Sequence, residues 1–449
     1  MTTTLYRGGR IHRPSAEPAT ALLVDGSQIA WIGAEEVAAG LAARAEQVID
    51  LDGAVVAPGF VDAHVHCLQA GLALLGGPQP EDPAVVSSEQ RSAAYRAALS
   101  AAARQGIVAL HEMSSPLTDT RAGLRELHDI GLHEPVPQVF SYRAELLDAA
   151  DDARALLQEL PFLTGVGGDL DVDGQVELGT AAMRGPYLDV PMLPGVTDAE
   201  RYGELHLSAR QIATHLIACA AAGVQAALRV GGDRGMDELV AGLHLAAATL
   251  GPDEEGGAGL RQAHIRVEQA LFVDFQALSA LLEYGVMPSI QPAACSAFGG
   301  ADGPWAAKVG VPRAADMSPV ADLTTAGLTV AFGSGAPRTP LNPWTAIRAA
   351  LFHQDESQRL TLHEAFFAHT TAGWRLAAGA APGAGILAPG HPAHLAIWRA
   401  EDYVSQDESL PTWAAQPPLP PLPALQPDGR DPECLRTVRA GVTIHDTLA

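Results

Sequence analysis

The sequence predicts an α/β protein: a (β/α)₈ TIM-type barrel with a small β-sandwich domain built from both chain termini. Three observations predict it. Eight short apolar runs alternate with Ala- and Leu-rich stretches of helical spacing. Turn-rich sequence of β type precedes these runs and returns after them. The chain has 449 residues, 47% of them hydrophobic and 18% charged, which is enough for one large barrel and a small companion.

The first 57 residues read as the N-terminal part of the sandwich. Thr3–Arg10, Ala21–Val24 and Gln28–Gly33 carry β-branched and aromatic residues broken by Gly and Asp, and Val48–Val56 adds another pair of strands. Together they suggest an antiparallel sheet too small to stand alone. The barrel is expected over 58–382. Its strands are read at Gly59–His66, Gly106–Met113, Pro137–Arg143, Gly165–Val172, Val224–Val230, His264–Ala270, Val286–Gln291 and Leu328–Gly333. Between them, Ser87–Arg104, Ala209–Ala222, Met236–Leu250 and Asp274–Glu283 have helical spacing. Regular alternation of strand and helix implies parallel pairing through right-handed crossovers. The fourth run is atypical of a barrel core, because it carries Asp169 and Asp171. Residues 383–449 return to the sandwich, with strands at Ala393–Trp398 and Thr437–His445 and a proline-rich extended loop at 416–427.

Charge and composition exclude several classes of partner. With 28 basic and 52 acidic residues the net charge is −24, which repels nucleic acid and anionic membrane surfaces. No apolar segment approaches the roughly 20 residues needed to span a bilayer, and Met1–Arg10 has no basic start leading into an apolar stretch. Cys67, Cys219, Cys295 and Cys434 lie far apart without paired spacing, which suits buried thiols in a reducing cytoplasm.

The most informative stretch is Ala57–His66, APGFVDAHVH. Side chains alternate along a strand, so His64 and His66 point to the same side. At the C-terminal end of a first barrel strand both imidazoles enter the mouth where active sites of this fold sit. They form a two-nitrogen site suited to zinc or a similar divalent ion. This motif, placed after an N-terminal sheet domain, resembles the amidohydrolase superfamily. Gly106–Met113, Asp173-Gly174 with Gly179-Thr180-Ala181-Ala182, Gly232-Asp233-Arg234, Arg266-Val267-Glu268, Ser289–Pro292 and Phe332-Gly333-Ser334 narrow the resemblance to the amidohydrolase 3 group, which includes N-substituted formamide deformylases. Gly385-Ile386-Leu387 and Ala393-His394-Leu395 are similar to that group's return into the sheet domain.

The resemblance implies hydrolysis of amide-like bonds by water activated on one or two metal ions. It also implies a His-x-His pair, a bridging lysine on strand four, single histidines on strands five and six, and an aspartate near the last strand as proton shuttle. At these positions the chain departs from the pattern. The strand-five histidine falls on Arg229, the strand-six histidine on Gln269, the lysine on Asp169 and the shuttle on Gly335. A guanidinium offers no lone pair to a metal. Only His64 and His66 match cleanly, which argues against the usual two-metal mechanism.

One divalent ion, zinc first, is then expected on His64, His66 and Asp169, or none at all, with the two histidines merely lining a polar cavity. Asp169, Glu112 and Asp233 are the candidate catalytic residues. Arg229, Gln269 and His111 are the candidate contacts to substrate. Arg229 either pairs with Asp169 or clamps an anionic ligand. Three functional readings follow: a one-metal hydrolase of non-peptide carbon–nitrogen bonds in a small molecule; an inactive member that binds a small molecule or partners an active relative; and a metal-free enzyme using Asp169, Glu112 and Arg229 as acid, base and anion clamp. Relatives of this architecture are often dimers, so a homodimer is included among the expected partners.

Overall fold

A computed structural model describes residues 2–14, 17–191, 193, 195–251, 259–261, 263–404 and 420–448. Eight parallel strands run in sequence order around the barrel: Phe60–Val65, Ile107–Ser114, Gln138–Arg143, Leu163–Val166, Gln225–Val230, Arg266–Gln269, Met287–Ile290 and Ala331–Phe332. A parallel bridge from Val65 to Ala336 joins the first strand to the chain just past the eighth. Buried Asp62 strengthens that seam, accepting from the backbone N–H of His64 at 3.1 Å and of Ser334 at 2.8 Å with one oxygen. The outer helices are well specified locally. Ser87 with Gln90 and Ser208 with Gln211 form capping boxes at the starts of Ser88–Arg104 and Ala209–Ala222.

Both termini build the companion domain. One sheet orders Gln28–Gly33, Ala21–Asp25, Thr3–Arg7 and Gln47–Asp50. The other orders Val442–Asp446, Glu433–Arg439, Leu395–Arg399, Val55–Pro58 and Arg10–Ile11. They share a core that includes Tyr6, Leu22, Ile29, Val56, Ile397 and Leu435, which makes the unit a sandwich. Thr3–Arg7 and Gln47–Asp50 pair in parallel, so the first sheet is mixed rather than antiparallel. The Ala-rich segment Glu35–Leu41 is a helix. It has few β-branched residues and crosses over between the parallel strands.

Three further differences have local causes. The fourth strand ends at Val166, because Gly167 (φ +114°) and Gly168 (φ +82°) turn the chain, leaving Asp169 and Asp171 beyond it. The last predicted strand is a hairpin, Glu433–Arg439 and Val442–Asp446, turned at Ala440 and Gly441 with positive φ. Within the proline-rich stretch, 416–419 lies outside the described residues, while Leu422–Pro423 pairs with Tyr403–Val404. Among the described residues no helix is long and apolar enough to cross a membrane.

Candidate active site

The strand periodicity that makes His64 and His66 neighbours on one side brings both to the barrel mouth, their rings 5.3 Å apart and almost perpendicular. His66 also caps the helix Cys67–Leu74. Asp169 arrives from the opposite wall through the Gly167-Gly168 turn. At Gly167 any Cβ would stand 1.7 Å from the Ala227 carbonyl oxygen, so only glycine permits this approach.

The Asp169 carboxylate lies 3.4 Å from His64 Nε2 and 3.1 Å from His66 Nε2. One ligand atom from each of the three residues falls within 4.8 Å of the others. Asp169 Oδ1 is buried and makes no hydrogen bond among the described residues. A buried carboxylate oxygen without a donor is costly; His64 Nε2 stands against this oxygen and His66 Nε2 against the other. The donor set fits a divalent ion with open positions, of the kind built from two histidines and one carboxylate.

Behind His64 runs a buried chain of charge. His64 Nδ1 contacts Glu268 Oε2 at 2.7 Å, and Glu268 Oε1 accepts from Arg266 Nε at 2.5 Å. Arg266 also donates to His111 Nδ1 and to the Ala63 carbonyl, both at 2.8 Å, and lies over the Tyr142 ring. A carboxylate on Nδ1 fixes the ring so that Nε2 faces the mouth. Burial opposes every charge here, yet neighbours overrule it. Asp169 is held well below the usual carboxylate range by Arg229 and the two histidines. Burial would lower His64, but Asp169 and Glu268 raise it. Burial would raise Glu268, but Arg266 and His64 lower it.

A cavity of about 670 Å³ opens onto His64, His66 and Asp169. Gln69, Gln175, Gln269 and Gln291 line it, as do Leu117, Leu271 and Trp305. Arg229 lines it too. Its Nε and Nη2 grip Asp171, the latter at 2.7 Å, while Nη1 stands 3.7 Å from Asp169. Its fork is therefore spent on carboxylates of the chain itself. Gly335, at the shuttle position, lines the same cavity, and its N–H donates to the His64 carbonyl.

The other candidates sit elsewhere. His111 is fully buried behind the site and is held neutral by burial and by Arg266. Glu112, its neighbour on the strand, faces the other way and accepts from the Cys67 N–H at 2.6 Å. Burial pushes its carboxyl up to about 7. Asp233 begins the helix Asp233–Leu250, accepting from the Arg184 N–H and from Arg313. It borders a second cavity, and neither it, Glu112 nor His111 lines the first. Sequence reasoning did not single out Asp171, Glu268 or Arg338 as site residues. Period two does place Asp169 and Asp171 on one side of an extended chain, and that signal was available. Glu268 and Arg338 gave none, since pairing with His64 and entry to the mouth depend on the barrel's closure.

A family model described as "Amidohydrolase family" matches residues 47–90 and 81–445. The chain is 33% identical over 142 residues to an imidazolonepropionase of Anaeromyxobacter dehalogenans, covering 25% of this chain and 33% of that protein. It is 46% identical over 55 residues to an N-substituted formamide deformylase of Arthrobacter pascens, covering 12% of this chain and 10% of that one. The chain thus spans a third or less of the length of these two curated relatives. Among solved structures, a metal-dependent hydrolase from Pyrococcus furiosus superposes with a TM-score of 0.68 at 18% identity, over 88% of this chain and 98% of that one. The ochratoxinase of A. niger gives 0.64 at 13% identity, over 99% and 96%. At such identities the likeness is one of fold.

Proposed function

The chain belongs to the amidohydrolase family, and on that premise we propose that it hydrolyses a carbon–nitrogen bond, other than a peptide bond, in a small molecule, using one divalent ion held by His64, His66 and Asp169. The observation that carries this reading is the convergence of two imidazole nitrogens on a buried carboxylate with an unpaired oxygen. The name of one relative, a deformylase of N-substituted formamides, supports the bond type.

An ion bound there supplies Lewis acidity toward a carbonyl oxygen and a water molecule. Asp169, held ionised, accepts a hydrogen bond from the attacking water and orients it. Gln269 and Gln291 hold the substrate's amide from the opposite wall. Asp171, steadied by Arg229, is the second carboxylate of the cavity and carries the proton to the leaving nitrogen, a role for which Gly335 has no side chain. His111 and Glu112 hold Arg266 and the Cys67 turn in place, and Asp233 holds Arg184 and Arg313.

The test is turnover of a panel of formamides and cyclic amides by zinc-loaded protein. The expected result is hydrolysis that disappears with a chelator and in His66→Ala, and returns in wild type on adding zinc. Hydrolysis undiminished by the chelator contradicts the metal assignment. The second reading, a small-molecule binder without turnover, draws on Gly335 in place of an acid. Tight binding of panel members with the ion present but no product would favour it.

A further inference from the structure

The chain between the seventh and eighth barrel strands opens with three short helices, Pro292–Phe298, Pro304–Val309 and Val311–Ala315, separated at glycines. At Gly303 a Cβ would stand 1.9 Å from the Gly299 carbonyl oxygen, so the first break is a close turn. These helices and the helix Pro343–Leu351, which follows the eighth strand, wall a third cavity of about 330 Å³. The small side chains of Ala301, Ala314, Ala315 and Ala349 leave the space open, and Val311, Met317 and Phe352 make it apolar. It has room for roughly two benzene rings, since one fits a cavity of about 150 Å³. Val311 and Phe352 are exposed, so the chamber opens to solvent on their side.

Two features say what this chamber takes. The first is continuity: Trp305 and Cys295 line both it and the main cavity, so they alone of its lining residues form the partition between the two. Trp305 is buried, with its Nε1 donating to Glu177 at 3.3 Å, and Cys295 Sγ lies 2.8 Å from Ser318 Oγ. The second is charge. No lysine or arginine lines the chamber among the described residues, and Asp355 is the one carboxylate that does. Asp355 Oδ1 accepts from the Ser357 N–H and O–H, each at 2.8 Å, and these bonds hold the carboxyl below its usual range. Oδ2 accepts no hydrogen bond among the described residues. An apolar chamber with a single uncompensated anion fits a monocation with an apolar body. Hydrolysis of an N-substituted amide releases such a molecule. Water's oxygen goes to the acyl carbon as the carbon–nitrogen bond breaks, and the acid's proton passes to the far more basic amine, giving a carboxylate and an ammonium ion.

Resting on the hydrolytic reading above, we propose that this chamber is a second small-molecule site, which binds the amine half of the reaction after cleavage. Its ligand is a primary ammonium ion with an apolar body of about six to eight carbons, the charge on Asp355 and the body against Met317 and Phe352. The product amine thereby leaves the main cavity on the Trp305 side, away from the bound ion and toward a carboxylate.

The experiment is calorimetric titration of the zinc-loaded full chain at neutral pH with hexylammonium chloride, hexan-1-ol and sodium hexanoate. The variants are Asp355→Asn, which keeps a capping oxygen, and Ala349→Phe, which fills the chamber, with circular dichroism checking that each is folded. The expected result is the ammonium ion binding at least about tenfold more tightly than the alcohol and the carboxylate. That preference is expected to vanish in Asp355→Asn, and Ala349→Phe is expected to weaken ammonium and alcohol alike. Equal affinity for ammonium and alcohol in wild type, including no measurable binding of either, overturns the proposal. So does a preference that persists in Asp355→Asn, or ammonium binding untouched by Ala349→Phe. Turnover of the amide panel by the same samples separates the two readings. Ammonium preference without turnover removes the hydrolase as the source of the amine and leaves the Asp355 site, whereas turnover without ammonium preference removes the Asp355 site alone.

Discussion

Arg229 occupies the position where the family resemblance places a metal-ligating histidine, and its guanidinium instead neutralises Asp171 and stands near Asp169. A fixed cation beside a bound divalent ion repels it. Arg229→Gln is therefore expected to bind zinc at least about tenfold more tightly in chelator competition, and to unfold with a free energy lower by about 3 kcal/mol, because two carboxylates lose their partner. Glu268 has the opposite sign on the ion. It anchors His64 Nδ1 and neutralises the fully buried Arg266. Glu268→Gln is expected to lower zinc affinity roughly 10–100-fold and to cost about 3–5 kcal/mol in urea unfolding. Unchanged affinity would show that His64 is oriented without it.

At the scale of elements, the helix Ala209–Ala222 is fastened to the barrel by His215. Its Nδ1 accepts from the Leu147 N–H, so its Nε2–H donates to the carbonyl of Val166, the last residue of the fourth strand, each at 3.3 Å. Burial pushes this imidazole down to about 4. Between pH 6.5 and 4 the unfolded chain therefore binds a proton that the native state refuses. Stability rises with pH across that window and is lost as pH falls through it, by about 3 kcal/mol from this residue. Denaturant unfolding of wild type and His215→Gln between pH 4 and 7 is expected to show a shallower slope in the variant. Parallel curves would contradict the assignment.

Much of this element layout was legible in the sequence, because strands such as Ile107–Ser114 and Gln138–Arg143 announce themselves by apolar runs between helical repeats. The His-x-His pair was legible for the same reason, since period two alone makes the histidines neighbours. The path of Asp169 was less so. It depends on Gly167, in the turn after the fourth strand, meeting the Ala227 carbonyl on the fifth. Glu112 illustrates the remaining gap: its place on the second strand was clear, but which of His111 and Glu112 turns inward depends on how the barrel closes.

At the scale of the whole molecule, barrel and sandwich are joined by an aromatic cluster. Phe60, at the start of the first barrel strand, packs at 5.0 Å from Trp344 and 5.4 Å from Trp398, and Trp398 belongs to the sandwich strand Leu395–Arg399. Trp398 also presses on Gly106, where a Cβ would stand 2.3 Å from its ring. Thr437 adds a hydrogen bond to the Ala103 carbonyl at 2.7 Å. The two parts are thus expected to unfold in one cooperative transition. Trp398→Ala is expected to cost about 3–5 kcal/mol and to lower the thermal midpoint of both parts together. Two separate transitions in calorimetry of the wild type would contradict this coupling.

All the functional conclusions meet at the His64, His66 and Asp169 cluster, so the most direct measurement is the metal content of the purified protein, after reconstitution with zinc, beside the His64→Ala/His66→Ala double variant. Close to one equivalent in wild type and none retained by the variant is the expected result. No retained ion in either protein, or equal retention in both, would contradict a metal centre at this site.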